Sequence, residues 1–286
     1  MRIKIAKTAG FCFGVDRAVK MAFDTAENSP NAVTLGPIIH NPQIVSRLES
    51  MGVRSVSSPE EILPDTTVVI RSHGVGQPVY DYLCEHHIPF VDATCPFVAK
   101  IHQIVKEYSE KGYLILIAGD KTHPEVEGIV GFCRSGAVAF NREEELRKMT
   151  EKNPEWTSRP AILVAQTTFN IQEWRKSAFF AKKVYTNLII FDTICNATEM
   201  RQQEAIVLAK ESDVMVVIGG KNSSNTMKLA EICSQYCQTF HIEKASELPR
   251  LDLSTSSVIG VTAGASTPAC IIKEVQETMS EFITND

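Results

Sequence analysis

Short apolar runs recur along the chain, each followed by a polar break and then by a stretch with helical spacing. "AVTLG" (32–36) precedes "PIIHNPQIVSRLESMG", "TVVIRSHG" (67–74) precedes "QPVYDYLCEHH", and "YLILIAGDKTHP" (113–124) precedes "EVEGIVGFC". The pattern continues with "AILVAQTTFN" (161–170) before "IQEWRKSAFFAKKV", "DVMVVIGGKNSSN" (213–225) before "TMKLAEICSQY", and "SSVIGVTAGASTP" (256–268) before "ACIIKEVQETMSEF". Short β-rich runs alternating with helices imply βαβ units and an α/β fold of mainly parallel sheets. No Gly/Ser-rich linker or low-complexity stretch divides them. The least regular region is the charged, proline-punctuated 141–160, which reads as loop holding a short exposed helix.

One switch between strand and helix is unusual. In "FVDATCPFVAK" (90–100) a β-like run stops at Asp92-Ala93-Thr94, and Cys95 and a proline stand before the helical stretch. Cys195 has the same layout in "IIFDTICNATEMRQQEA" (189–205), and Cys12 in "IKIAKTAGFCFGVDRAVKMA" (3–22). The separations are 83 and 100 residues, each enough for one small α/β unit. Three domains follow, 13–95, 96–194 and 195–286 plus 1–12, with the three thiols facing a common centre.

In open α/β sheets ligands bind beyond the carboxyl ends of the strands. Those ends carry His40-Asn41, Ser72-His73-Gly74, Thr122-His123-Pro124-Glu125, Gln166-Thr167-Thr168, Ser223-Ser224-Asn225 and Ala265-Ser266-Thr267. Three of the seven histidines take this position in successive units. Imidazoles, hydroxyls and helix N-termini together suit a compact anion, phosphate above all. With no Walker A motif and no Gly-x-Gly-x-x-Gly fingerprint, the ligand is a small phosphorylated metabolite rather than a nucleotide.

Composition narrows the chemistry. A net charge of −5 gives no support for broad nucleic-acid binding. No run reaches the roughly 18 apolar residues that span a bilayer, and "MRIKIAKTAGFCFG" has no signal-peptide core, so the expected location is the cytoplasm. In that reducing setting the eight cysteines are buried thiols, metal ligands or nucleophiles. Cys84, Cys133, Cys233 and Cys237 lie in or just after apolar helical stretches and read as buried and inert, the last two an i, i+4 pair on one helical face. A single thiol among Cys12, Cys95 and Cys195 would suit a nucleophile at a helix N-terminus; three suggest a metal centre. Zinc would take one of the histidines as its fourth ligand. An iron–sulfur cube on three cysteines would leave one iron open to substrate. The spacing does not choose between them.

"GFCFGVDRAV", "IIHNPQIV", "IRSHGV", "DATCPFV", "THPEVEG", "AQTTFN", "TICNAT", "KNSSNT" and "TAGASTP" follow one another in order, and over about residues 3–280 the chain resembles the 4-hydroxy-3-methylbut-2-enyl diphosphate reductases of non-mevalonate isoprenoid synthesis. The resemblance implies three α/β domains in a pseudo-threefold trefoil around a 4Fe–4S cluster on Cys12, Cys95 and Cys195. It implies reductive loss of the substrate's hydroxyl at the open iron, giving isopentenyl and dimethylallyl diphosphate, with a ferredoxin or flavodoxin as electron donor. It further implies that His40, His73, Ser223, Ser224, Asn225 and Ser266 hold the diphosphate, with His123 beside them. Glu125 becomes the proton source and Thr167, rather than its neighbour Thr168, stands near the hydroxyl. A glutamate in a first helical turn also has a purely structural use there. The chain departs from the Pro-Arg-Gly that some members carry before the first cysteine, reading Thr8-Ala9-Gly10. Two other classes compete: an aconitase-like hydro-lyase, which would turn over without reductant, and a non-catalytic metal-dependent metabolite sensor, which would bind without turnover.

Overall fold

The computed structural model describes residues 2–249 and 257–284, with side chains as far as 281; Ser256, which heads the last apolar run, lies outside them. The chain forms two compact units. One comprises Met1–Asp16, His40–Gln43 and Asn196–Asp286, the other Arg17–Ile39 and Ile44–Cys195.

The first unit holds one four-stranded sheet. Its strands are β1 (Arg2–Ile5), β10 (Val214–Ile218), β11 (Gln238–Ile242) and β12 (Val258–Ala263), in the order β1-β12-β10-β11 and all parallel. The second unit holds two sheets. One has β2 (Ala32–Leu35), β3 (Arg54–Val56), β4 (Thr67–Ile70) and β5 (Phe90–Asp92) in the order β3-β2-β4-β5. The other has β6 (Leu114–Ala118), β7 (Ala137–Phe140), β8 (Ala161–Ala165) and β9 (Leu188–Ile190) in the order β7-β6-β8-β9. Every pairing is parallel, so the mainly parallel α/β fold expected from the sequence is realised with no antiparallel strand among the described residues. In each sheet the strand before a cysteine lies at one edge.

The central runs are continuous rather than alternating because both faces are covered, as parallel sheets require. Successive side chains of a strand point to opposite faces. In β6, Leu114, Leu116 and Ala118 pack against Leu146, Phe169, Trp174 and Phe180, while Ile115 and Ile117 pack against Ile101, Val105, Val126 and Ile129. In β10, Val216 and Ile218 join Ile271 and Val275, while Met215 and Val217 join Leu208 and Leu229. Fully burying one such side chain contributes on the order of 2 kcal/mol, so rigid central strands fix where their carboxyl ends fall.

Ten α-helices among the described residues accompany these strands, nine of them between strands and α10 after the last. They are α1 (Phe13–Asn28), α2 (Pro42–Ser50), α3 (Gln77–Glu85), α4 (Pro96–Glu110), α5 (Pro124–Val130), α6 (Glu143–Lys152), α7 (Ile171–Val184), α8 (Asn196–Lys210), α9 (Ser224–Cys233) and α10 (Ala269–Thr284). Proline in the first turn opens α3, α4 and α5, where its missing N–H costs nothing. Asn170 caps α7 by accepting from the N–H groups of Gln172 and Glu173. None of these helices is long and apolar enough to cross a membrane.

Three sequence expectations need correction. The helix inside 141–160 is not a wholly exposed one: Leu146 on α6 is fully buried against the β6–β8 sheet. Cys84 is exposed, because Leu83 takes the inward position of α3 and its neighbour turns to solvent. Cys237 lies beyond the end of α9 at Cys233, so the two do not share a helical face.

Candidate active site

The three switch cysteines sit in the same local frame. Cys12, Cys95 and Cys195 each immediately precede a helix, α1, α4 and α8. Each donates its backbone N–H to a carbonyl two residues past the end of the adjoining strand. Cys12 bonds Ala265 O at 3.3 Å past β12, Cys95 bonds Ser72 O at 2.9 Å past β4, and Cys195 bonds Thr167 O at 3.0 Å past β8. None of the three is in a disulfide, and each is half-buried. Cysteine sulfur is a soft ligand atom suited to iron. These soft donors fit an iron–sulfur centre. Each acceptor is, or stands directly before, a polar strand-end residue: Ala265 before Ser266, Ser72 before His73, and Thr167 itself.

In the second unit the loops after β6 and β8 build an acid. Glu125 is in the first turn of α5, yet it is 2% exposed. Its Oε1 accepts from the Thr167 N–H at 2.6 Å and its Oε2 from the Thr167 hydroxyl at 2.8 Å. Burial pushes the carboxyl up to about 7, against the lowering effect of both Thr167 hydrogen bonds. A surface first-turn glutamate would be ionised at neutral pH; this one is raised into the range where both forms are present near pH 7. His123 caps the same helix, its Nδ1 accepting from the Glu125 N–H at 3.1 Å. The His73 ring meets that of His123 edge-on, with centroids 5.3 Å apart. Thr168 points elsewhere, its hydroxyl accepting from Gln166 Nε2.

Removal of the Thr167 hydroxyl tests this pairing. Thr167→Val keeps the backbone N–H bond and loses the other, worth about tenfold in rate for a bond to a charged or titrating group. The lost bond is one that lowers the carboxyl's pKa, so the alkaline limb of the kcat/KM profile should move to higher pH while the maximum falls.

In the first unit the loops after β10 and β12 meet the segment 40–43. The Ser266 hydroxyl donates to His40 O at 3.3 Å and to Ser223 Oγ at 3.4 Å. Gly220 permits the approach: a Cβ there would stand 2.6 Å from His40 O. Ser223 caps α9 by accepting from the Thr226 N–H. Ser223, Ser224, Asn225 and Ser266 are all buried, and Asn225 Nδ2 and Thr226 Oγ1 have no hydrogen-bond partner. A buried amide donor without an acceptor costs about 1–3 kcal/mol, a cost a bound anion removes.

The structure also engages residues that sequence reasoning did not single out. On α8, Glu204 Oε1 accepts from the Lys7 N–H, and its Oε2 from the Thr8 N–H and the Thr8 hydroxyl. Arg201, 4% exposed, donates to Gly10 O. The Thr8 departure therefore has a use: a proline there would have no N–H for Glu204. The sequence signal was a helix with no clean apolar face, since α8 buries Thr198, Arg201 and Gln202. His102 on α4 is a structural histidine, stacked on Phe132 at 4.5 Å and pushed down to about 4 by burial.

Comparison with known proteins finds relatives over the whole chain. A family profile described as LytB protein matches residues 3–280. The chain is 44% identical to the 4-hydroxy-3-methylbut-2-enyl diphosphate reductase of Caldanaerobacter subterraneus subsp. tengcongensis, over 100% of this chain and 99% of that protein. It is 45% identical to the enzyme of the same name from Clostridioides difficile, over 96% and 98%. Among solved structures it is similar to an (E)-4-hydroxy-3-methyl-but-2-enyl diphosphate reductase described as the terminal enzyme of the non-mevalonate pathway, with TM-score 0.69, 38% identity and coverage of 98% of this chain and 100% of that one. The fold alone is shared with the Plasmodium falciparum E-1-hydroxy-2-methyl-but-2-enyl-4-diphosphate reductase, at TM-score 0.88 and 23% identity over 98% of this chain and 87% of that one. With the profile and the full-length relatives in accord, the chain belongs to the LytB family.

Proposed function

We propose that the chain reduces 4-hydroxy-3-methylbut-2-enyl diphosphate to isopentenyl and dimethylallyl diphosphate, taking up two electrons and two protons and releasing the hydroxyl as water. The observation that carries this reading is Glu125, a buried carboxyl held by two bonds from Thr167, whose burial raises its pKa to about 7. Loss of an allylic hydroxyl needs a proton on the departing oxygen, a task for a general acid whose pKa lies near the working pH.

Cys12, Cys95 and Cys195 would hold the 4Fe–4S cluster. When bound, it supplies the electrons and an open, Lewis-acidic iron for the hydroxyl oxygen. Glu125 delivers the proton, and the Thr167 hydroxyl fixes which carboxyl oxygen carries it. The His123 Nδ1 accepts from the Glu125 N–H, which ties the orientation of the ring to the helix that carries the acid. His40, His73, His123, Ser223, Ser224, Asn225 and Ser266 hold the diphosphate. This set contains no lysine or arginine, so buried hydroxyl, amide and imidazole donors neutralise the anion. A ferredoxin or flavodoxin type donor supplies electrons, and the enzyme works in the cytoplasm.

Anaerobic purification, iron and sulfide analysis, and turnover with a reduced dye test the reading. Stoichiometric zinc without sulfide, or turnover that needs no reductant, would refute it. Asn225→Ala should raise KM by about 10–100-fold, the worth of a hydrogen bond to a charged group, with kcat little changed. An unchanged KM would remove Asn225 from the diphosphate site.

A further inference from the structure

Two helices that begin at a candidate ligand cysteine each hold the loop leading into a different one. Helix α8, which starts after Cys195, grips residues 7–10 ahead of Cys12: Glu204 takes both N–H groups of Lys7 and Thr8 and the Thr8 hydroxyl, at 2.6 to 2.9 Å, and Arg201 donates to Gly10 O. Helix α1, which starts after Cys12, grips residues 92–94 ahead of Cys95: Arg17 Nη1 donates to Thr94 O at 3.1 Å and Nη2 to Asp92 O at 3.5 Å. That second loop is tied further by the Thr94 N–H to Asp92 Oδ1 and by Tyr80, whose hydroxyl reaches Asp92 Oδ2. In the loop ahead of Cys195 the Thr193 hydroxyl donates to Ala165 O and accepts from the Ala165 N–H, both at 2.7 Å.

Arg201 is a buried cation, and such a group is costly to desolvate unless its donors are matched. Arg17 and Arg201 direct donors at carbonyls one, two and three residues before a cysteine. Those carbonyls set the direction in which the chain delivers the next Cα–Cβ bond, so the arginines act on the aim of the sulfur rather than on substrate.

We propose that Arg17 and the Arg201–Glu204 pair are positioning residues that hold the Cys95 and Cys12 loops in the geometry needed to bind and retain the iron–sulfur centre. The inference rests on the proposed cluster reading. Groups that orient metal ligands are typically worth 10–100-fold in metal affinity.

The test uses Arg17→Met, Arg17→Lys, Arg201→Lys and Glu204→Gln, with exposed Arg159→Met as control. Each protein is loaded with iron and sulfide anaerobically, and loss of iron to excess chelator is timed. Arg17→Met and Arg201→Lys should release iron at least about tenfold faster than the unaltered protein. Arg17→Lys, which keeps one donor, should fall between, and Arg159→Met should match the unaltered protein. In the metal-free proteins, alkylation should quicken at Cys95 alone in the Arg17 variants and at Cys12 alone in the Arg201 and Glu204 variants, with melting temperatures unchanged. Should Arg201→Lys fail to fold, Arg17→Met decides, because Arg17 is only half-buried. Release at the unaltered rate overturns the proposal, as does faster release that tracks a general fall in melting temperature with all three cysteines alkylated alike. If the unaltered protein assembles no cluster, the underlying reading has failed and takes this inference with it.

Discussion

Glu125→Gln should lower turnover by about 10²–10⁴-fold while iron and sulfide content and substrate affinity stay at the level of the unaltered protein. Glutamine keeps the shape of the protonated carboxyl: its oxygen accepts from the Thr167 N–H, and its amide donates to the Thr167 hydroxyl, which turns from donor to acceptor. Only the transferable proton is lost. On the proposed reading the acid form is the working form, and burial raises its pKa to about 7. In the unaltered enzyme kcat/KM should therefore be flat in mildly acid solution and fall about tenfold per unit well above pH 7; the residual activity of the variant should lack that limb.

Stability should move the other way. The folded pKa is raised from an ordinary 4.5 to about 7, so the folded state keeps a proton that the unfolded state gives up. The favourable contribution is complete below pH 4.5 and is lost as pH rises through 7, a change of roughly 3 kcal/mol. Glutamine has no charge to bury, so the variant should melt several degrees above the unaltered protein at pH 8 and level with it near pH 4.5. Unchanged turnover combined with a lower melting temperature at pH 8 would make Glu125 a structural helix-start carboxylate after all.

That ambiguity marks the boundary of what the sequence can carry. The strand ends were legible because glycine, proline, serine and threonine break the apolar runs abruptly, and the cysteine layout was legible because it recurs with the same order of elements. Glu125 alone reads equally as an acid or as a helix-start residue. What separates the two is burial beneath Thr167, 42 residues away along the chain, and no local pattern encodes it. His40 poses the same difficulty. It follows β2 in the chain, yet its segment belongs to the unit of β10 and β12, and its carbonyl takes the Ser266 hydroxyl across 226 residues. Cys84 was misread for the opposite reason. Being inside an apolar stretch says that one face is buried, and a single step along a helix turns a side chain by about 100°, enough to carry it from core to solvent. Arg201 and Glu204 were passed over because charged residues on a helix are usually its wet face.

Serine at Cys12, Cys95 or Cys195, one substitution at a time, should abolish turnover and remove the iron–sulfur absorbance, whereas Cys84→Ser and Cys270→Ser, at the two exposed thiols, should change neither. The contrast follows from what the substitution leaves intact. The bonds that place these residues, to Ala265 O, Ser72 O and Thr167 O, are made by their backbone N–H groups. Serine keeps them, together with the helix start that follows, so the metal-free variants should melt with the unaltered protein. What changes is the donor atom. Sulfur is soft enough for iron and sulfide, whereas the serine oxygen is a hard donor. The three losses should also be of one size, because the three residues share one frame and no spare cysteine stands at a fourth such switch. Full iron, sulfide and turnover in any one of the three variants would break the assignment at its base, and equal loss in Cys84→Ser would show that the assay reports general thiol damage instead of ligation.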